Sequence, residues 1–114
     1  MRLILASASP RRKQLLRDAG FIFQVLPSTI EEDYQPGEPP EAFVERVAGR
    51  KADQVAQRYA QQPGVVVLGA DTVVVVEGEV LGKPDSPAAA GQILQKLAGR
   101  THEVITGIAL VEPA

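Results

Sequence analysis

The chain has 114 residues, a length that allows one small domain with its own hydrophobic core, and we expect residues 1–114 to form a single domain. Its 12 lysines and arginines against 14 acidic residues leave no basic surface of the kind that nucleic-acid binding requires. The absence of cysteine excludes disulfides, thiolate catalysis and cysteine-ligated zinc. The single histidine, His102, excludes a multi-histidine metal site and is interpreted as structural.

The apolar segments are too short for a secretory signal or a membrane span. The longest run, residues 64–76, falls below the ~20 residues that a spanning helix needs, and it contains Asp71. These features predict a cytoplasmic protein that has neither a membrane nor a nucleic acid as its partner.

The first 20 residues predict a strand, a tight loop and a short helix. The apolar run at residues 3–6 precedes Ser9, which suits the helix N-cap, and Pro10, whose missing N–H costs nothing in the first turn. Gly20 suits the position just after the helix. The free backbone N–H groups, with the hydroxyls and guanidiniums of residues 7–12, suit a phosphate site; the alternative is a capped surface helix with solvated arginines.

The remaining residues predict alternating strands and helices, because apolar periodicity changes between stretches that end at Gly or Pro. In chain order the elements are a strand at 21–26, a polar loop at 27–40, a helix at 40–60, a strand at 65–76 that turns at 77–79 into a short strand at 80–81, a helix from a cap at Asp85 or Ser86 to Gly99, and a strand at 103–111. This order predicts an α/β fold, with helices packed on a sheet of mixed direction. The last strand would leave an open edge, which favours pairing with another chain, either in a homodimer or in an aggregate.

Lys51 is a polar residue in an apolar pattern. It falls in register with the apolar residues of the long helix, on the face that should meet the core. An unpaired ammonium is expensive in such a place, so we expect the side chain to reach inward toward an anion. The alternative is a lysine at the edge of the stripe, whose stem covers apolar surface while its ammonium stays in water.

Asp71 interrupts a continuous apolar strand, where carboxylates are rare unless they are paired or bound to a metal. Function is the better explanation, and a carboxylate that caps a nearby loop is the alternative. Gly69 and Ala70 indicate that something approaches the backbone closely at this point. The acidic residues 31–33, which alone are typical of a solvated surface, could combine with Asp71 to hold Mg²⁺ or Mn²⁺ through oxygen ligands.

Several short motifs occur together in a characteristic order and spacing: SASPRR at 7–12, IEE at 30–32, RKA at 50–52, GADT at 69–72, LGKP at 81–84, LAG at 97–99 and HEVITG at 102–107. By these motifs the chain resembles the Maf family of nucleoside triphosphate pyrophosphatases over essentially its whole length. The resemblance implies an elongated α/β fold with a central cleft, of the Maf and inosine triphosphatase kind. It also implies hydrolysis between the α- and β-phosphates to a nucleoside monophosphate and pyrophosphate. Members of the family continue further, so the sequence corresponds to their N-terminal part and the fold is expected to be incomplete at the C-terminus.

The resemblance also implies residue roles. The residues that would bind the triphosphate substrate are Ser7, Arg11, Arg12, Lys51, Thr72 and Lys83. Glu32 would help to hold the divalent metal, Mg²⁺ or Mn²⁺, and Asp71 would be the catalytic carboxylate. Whether Asp71 acts as a base, as a metal ligand or as both stays open.

Two positions indicate the substrate class. Arg11 after the proline and Thr72 after the aspartate are similar to the subgroup that acts on dTTP and UTP. The subgroup that acts on 7-methyl-GTP has an aromatic residue and a glutamine at these two places. The alternative function is a non-catalytic nucleotide-binding or septum-formation regulatory protein, but such a protein has no need for Asp71 in an apolar strand or Lys51 on a core face.

Overall fold

The structure is a computed structural model that describes residues 1–31, 34–35, 37–81, 87–88, 91–92, 95, 98–99 and 102–113. The elements are β1 (Arg2–Leu5), α1 (Pro10–Asp18), β2 (Phe23–Val25), α2 (Pro40–Ala56), a 3-10 turn (Gln57–Tyr59), β3 (Val65–Val76), β4 (Glu79–Leu81) and β5 (His102–Val111). The predicted α/β class is confirmed. The predicted caps of a third helix, Asp85 and Ser86, lie outside the described residues.

The sheet is mixed, as predicted. β1 pairs in parallel with β2 and β3, whereas β4 and β5 pair antiparallel with β3. β5 follows one edge of β3 from Val67 to Val76, so β1 and β4 must share the other edge. On that shared edge β1 reaches only Leu68 and β4 begins only at Val74. Residues 69–73 of β3 therefore have no partner strand on this edge among the described residues.

Local sequence signals set the ends of the elements. Ser9 caps α1 by accepting a hydrogen bond of 3.3 Å from the backbone N–H of Arg12, and Gly20 follows the helix with a φ of +86°. α2 ends at Ala56, earlier than predicted, because the last turn tightens into a 3-10 turn. The second strand is shorter than predicted, and Ile22, which precedes it, is 95% exposed.

The hairpin between β3 and β4 is also confirmed. Glu77 and Gly78 both have positive φ, 51° and 79°, as a type I′ turn requires. Such a turn twists with the strands that it joins, so the long β3 returns directly as β4.

The helix α2 covers one face of β3 and β5, which we call the closed face. The strand residues Gly69, Asp71 and Gly107 lie on this face. A Cβ atom at Gly69 would lie 2.2 Å from the carbonyl oxygen of Ala48, and one at Gly107 would lie 2.6 Å from the carbonyl carbon of Val44. The helix backbone therefore rests directly on the sheet at both glycines. The opposite face of β3 and β5, which carries Thr72 and Thr106, is called the open face.

Two apolar clusters hold α2 on the closed face. Their buried members are Ile4, Ala6, Ala52, Val55, Ala56, Val65 and Val67 in the first cluster and Phe43, Val44, Val47, Val73 and Val75 in the second. Along β3 the two clusters are separated by Gly69 and Asp71, so the buried carboxylate sits between two hydrophobic blocks. No helix in the described part of the chain is long and apolar enough to cross a membrane.

Candidate functional site

Lys51 and Asp71 form an ion pair on the closed face. The ammonium nitrogen of Lys51 lies 3.2 Å from Oδ1 of Asp71 and 3.5 Å from the carbonyl oxygen of Ala70. The side chains are 17% and 12% exposed, so both charges are largely removed from water. Lys51 thus reaches inward to an anion, as predicted, and is not a lysine whose ammonium stays in solvent.

Arg12 organises a second group of polar side chains. Its guanidinium donates to Oγ1 of Thr72 at 2.8 Å and to Oγ of Ser7 at 3.3 Å. Ser7 is only 7% exposed, and its hydroxyl oxygen also accepts from the backbone N–H of Ser9 at 3.2 Å. One arginine in the first turn of α1 therefore connects the loop after β1 to the middle of β3.

Asp71 and Thr72 are neighbours in a strand, so their side chains point to opposite faces of the sheet. Both lie in the stretch of β3, residues 69–73, that neither β1 nor β4 covers. The carbonyl of Leu68 points to this edge, because it accepts from the backbone N–H of Ala6 at 2.9 Å. The carbonyl of Ala70, two residues further, points the same way and accepts from Lys51. The two polar groups therefore approach one uncovered stretch of strand from its two faces.

A cleft of about 620 Å³ lies between α1 and the open face. Its lining residues are Leu5, Ser9, Arg11, Arg12, Leu15, Leu16, Leu68, Ala70, Thr72, Val104, Thr106 and Ile108. The walls are mostly apolar, and the polar side chains come from Ser9, from α1 and from the pair Thr72 and Thr106. Such a mixture suits a small molecule with an anionic part and an apolar or aromatic part.

The predicted site residues divide into three sets. Ser7, Arg12 and Thr72 are hydrogen-bonded together, and Arg11 lines the cleft beside them. Lys51 and Asp71 pair with each other. Glu32 and Lys83 lie outside the described residues, so their placement stays a prediction.

Sequence reasoning missed Thr106, whose hydroxyl oxygen is 2.9 Å from that of Thr72. Thr106 was visible only as part of the HEVITG motif, and its position opposite Thr72 follows from the register of β3 and β5. No cluster of three or more carboxylate, histidine or cysteine groups occurs among the described residues.

Comparison with known proteins agrees with this architecture. The family model for Maf-like proteins matches residues 2–114. The chain belongs to the Maf-like family. This Maf-like chain is 53% identical over 109 residues to the dTTP/UTP pyrophosphatase of Symbiobacterium thermophilum and 54% identical over 111 residues to that of Moorella thermoacetica. The matches cover 96% and 97% of the chain but 55% and 56% of the relatives, so it spans about half the length of the curated relatives it matches.

A solved structure has the same fold. The nucleoside-triphosphatase / dITP/XTP pyrophosphatase from Mycobacterium abscessus aligns with a TM-score of 0.50, covering 99% of the Maf-like chain and 66% of that chain. The sequences are 19% identical, so the likeness concerns the fold alone. The match to the Maf-like family thus spans the sheet, α1, α2 and the polar groups around residues 69–73.

Proposed function

We propose that this chain carries the phosphate-binding and catalytic part of a nucleoside triphosphate pyrophosphatase that acts on dTTP and UTP. The observation that carries the proposal is the approach of two polar groups, Lys51 with Asp71 and Arg12 with Ser7 and Thr72, to residues 69–73 of β3. The printed names of the relatives, dTTP/UTP pyrophosphatase, support the same activity and substrate class.

The proposed reaction needs charge neutralisation more than a covalent group. A water molecule attacks the α-phosphorus while the anhydride bond to the β-phosphate breaks, so the nucleoside monophosphate forms and pyrophosphate leaves. Arg11, Arg12 and Lys51 would neutralise the phosphate oxygens, and a guanidinium suits this task because its planar donors match two oxygens at once. Ser7 and Thr72 would hold Arg12 in place.

Asp71 would accept the proton of the attacking water or hold that water in line. Its side chain is fixed by the ammonium of Lys51 at 3.2 Å, within a largely dry setting between the two apolar clusters. When a triphosphate arrives, its oxygens compete with Asp71 for the same ammonium. Such an exchange would release the carboxylate for its task as the substrate is clamped.

We propose Mg²⁺ or Mn²⁺ as the cofactor. Mg²⁺ in phosphate-processing sites is held by one or two carboxylates together with the substrate phosphates, so a single described carboxylate, Asp71, suits that arrangement. Glu32 is the proposed second carboxylate. The bound ion would supply charge neutralisation at the phosphoryl oxygens.

The proposal is tested by pyrophosphate release from dTTP, UTP, GTP and 7-methyl-GTP, with Mg²⁺ or Mn²⁺. We expect turnover of dTTP and UTP, and a loss of about 100-fold or more in Asp71→Asn, as the removal of a general base causes. Asp53→Asn is the matched control, because it makes the same chemical change at an exposed position of α2. Full activity in Asp71→Asn would overturn the catalytic assignment.

Metal dependence has its own test. Addition of a chelator should abolish turnover, and Mg²⁺ or Mn²⁺ in excess should restore it. Turnover that continues in the chelator would remove the metal from the proposal. Binding of dTTP without any turnover would favour the non-catalytic alternative.

A further inference from the structure

Thr106 places a hydroxyl group on the open face, outside the hydrophobic core. It lies directly opposite Thr72 in the antiparallel pair of β3 and β5, and its side chain is exposed on the open face. The two hydroxyl oxygens are 2.9 Å apart, and either hydroxyl can donate across the pair. Thr106 therefore makes a polar contact with the residue that receives the shortest hydrogen bond of Arg12.

The three side chains form a continuous series. Arg12 donates to Oγ1 of Thr72 at 2.8 Å, and Thr72 shares a hydrogen bond with Thr106. A guanidinium only donates, so the hydroxyl of Thr72 must present a lone pair to Arg12. Without Thr106, the hydroxyl of an exposed threonine can rotate to another staggered position and turn that lone pair away.

The hydrogen bond between Thr72 and Thr106 affects the orientation of Arg12 more than that of Thr72. The other described polar contact of its guanidinium is Oγ of Ser7, at 3.3 Å, which is the longer of the two bonds. The guanidinium lines the cleft and joins α1 to β3 through Thr72, so its orientation depends on the bond at its β3 end. A residue on a third element, β5, thereby determines how an arginine of α1 is presented in the cleft.

We infer that Thr106 is a positioning residue, which holds the Arg12 guanidinium in its phosphate-facing orientation through the hydroxyl of Thr72. The phosphate part of this inference rests on the proposed function, whereas the orientation of Arg12 does not. Thr106 touches neither the reacting atoms nor the metal in this scheme. Its removal should weaken substrate binding and leave the chemical step nearly unchanged.

The direct test measures the side chain of Arg12 by nuclear magnetic resonance, with its Nε–Hε signal assigned by its loss in Arg12→Lys. In Thr106→Val, which keeps the shape of the side chain and removes the hydroxyl, we expect this signal to show the fast motion of a free arginine. Thr106→Ser, which restores the hydroxyl, should return the restricted signal. Leu110→Val is the control on the same strand and face, because Leu110 is also exposed and lies outside the cleft lining.

The kinetic test measures KM and kcat for dTTP in the same variants. Loss of one hydrogen bond that orients a charged group should raise KM by about tenfold in Thr106→Val, with kcat within about twofold, and Thr106→Ser should restore KM. Circular dichroism and unfolding midpoints of all variants check that the fold is retained.

The outcomes separate this inference from the proposed function. An Arg12 signal in Thr106→Val that stays as restricted as in the unmodified chain overturns the inference, and so does a Thr106→Ser variant that behaves like Thr106→Val. If the unmodified chain releases no pyrophosphate but Arg12 still loosens in Thr106→Val alone, the positioning role stands and the proposed function falls.

Discussion

The two faces of β3 and β5 differ in how they are covered. The closed face packs against α2, whereas the open face lines the cleft. On the closed face α2 lies so near that Gly69 and Gly107 leave no space for a side chain, and the ion pair of Lys51 and Asp71 is largely buried between two apolar clusters. On the open face Val104, Ile108 and Leu110 are 62%, 65% and 64% exposed, and a cleft separates α1 from the strands. At residues 69–73 the same strand is therefore tightly packed on its closed face and accessible on its open face.

The largest expected effect comes from placing a side chain between α2 and the sheet. In Gly69→Ala the new Cβ would lie 2.2 Å from the carbonyl oxygen of Ala48 and 2.8 Å from the backbone nitrogen of Ala52. Neither backbone atom can rotate away, so the helix must shift, and we expect a loss of at least about 3 kcal/mol in the free energy of unfolding. Urea denaturation measures this loss.

Gly49→Ala is the control for that measurement. Gly49 lies in the same helix, and a Cβ atom there meets nothing within 4 Å. Alanine is the better helix former, so we expect a gain of about 0.5–1 kcal/mol. Equal effects of the two substitutions would show that α2 does not rest on the sheet at Gly69.

The next effect concerns the largely buried ion pair of Lys51 and Asp71. Lys51→Met leaves the carboxylate of Asp71, whose side chain is 12% exposed, without its partner, and should cost about 2–3 kcal/mol of unfolding free energy. The double variant Lys51→Met with Asp71→Asn removes both charges, so we expect it to recover most of that loss. A double variant as unstable as Lys51→Met would mean that packing by the lysine stem, and not the charge left behind, causes the loss.

A smaller effect is expected when the same substitution, isoleucine to valine, is made on each of the two faces. Ile4 is 0% exposed in the cluster beneath α2, whereas Ile108 is 65% exposed beside the cleft. Ile4→Val should cost about 1 kcal/mol, since it removes a buried methyl group. Ile108→Val should change the unfolding free energy by less than about 0.5 kcal/mol. Equal losses would show that the open face is covered in solution.

Local signals in the sequence predicted much of the fold. Ser9, Pro10 and Gly20 define the ends of α1, and the Glu77 and Gly78 turn defines the hairpin, because each of these features depends on a few adjacent residues. Lys51 and Asp71 were recognised because a charge in an apolar pattern needs a partner, and the partners proved to be each other. Gly69 was interpreted correctly as a close approach to the backbone, and the approaching group is α2.

The rest could not be predicted, because it depends on register between distant strands. The uncovered stretch at residues 69–73 exists because β1 stops pairing at Leu68 and β4 starts at Val74, and neither limit has a local signal. The contact of Thr72 with Thr106 likewise requires the alignment of two strands that are 34 residues apart at this pair. Motif order identified the polar residues, whereas the sheet determined which of them meet.

The smallest expected effect lies at the start of α2, where a short segment braces the helix on the closed face. Arg46 forms a two-point ion pair with Glu38, with its Nε 2.9 Å and its Nη2 3.0 Å from the carboxylate oxygens, and Tyr34 donates to the backbone carbonyl of Glu38 while its ring packs edge-on against Phe43. The hydrogen bond from Arg46 lowers the pKa of Glu38 below its ordinary value. A lowered pKa in the folded state means that the stabilisation is present above the ordinary pKa and is lost as the pH falls through the lowered value.

Glu38→Gln tests this brace. The variant should unfold at a slightly lower urea concentration than the unmodified chain at pH 7, and the two midpoints should converge in acid, where Glu38 is protonated and the ion pair is gone. High salt at pH 7 should reduce the difference as well, because the pair lies near the surface and is screened. A difference that persists unchanged in acid would assign the effect to the shape of the side chain, and the brace would then hold α2 on the closed face by packing and hydrogen bonds alone.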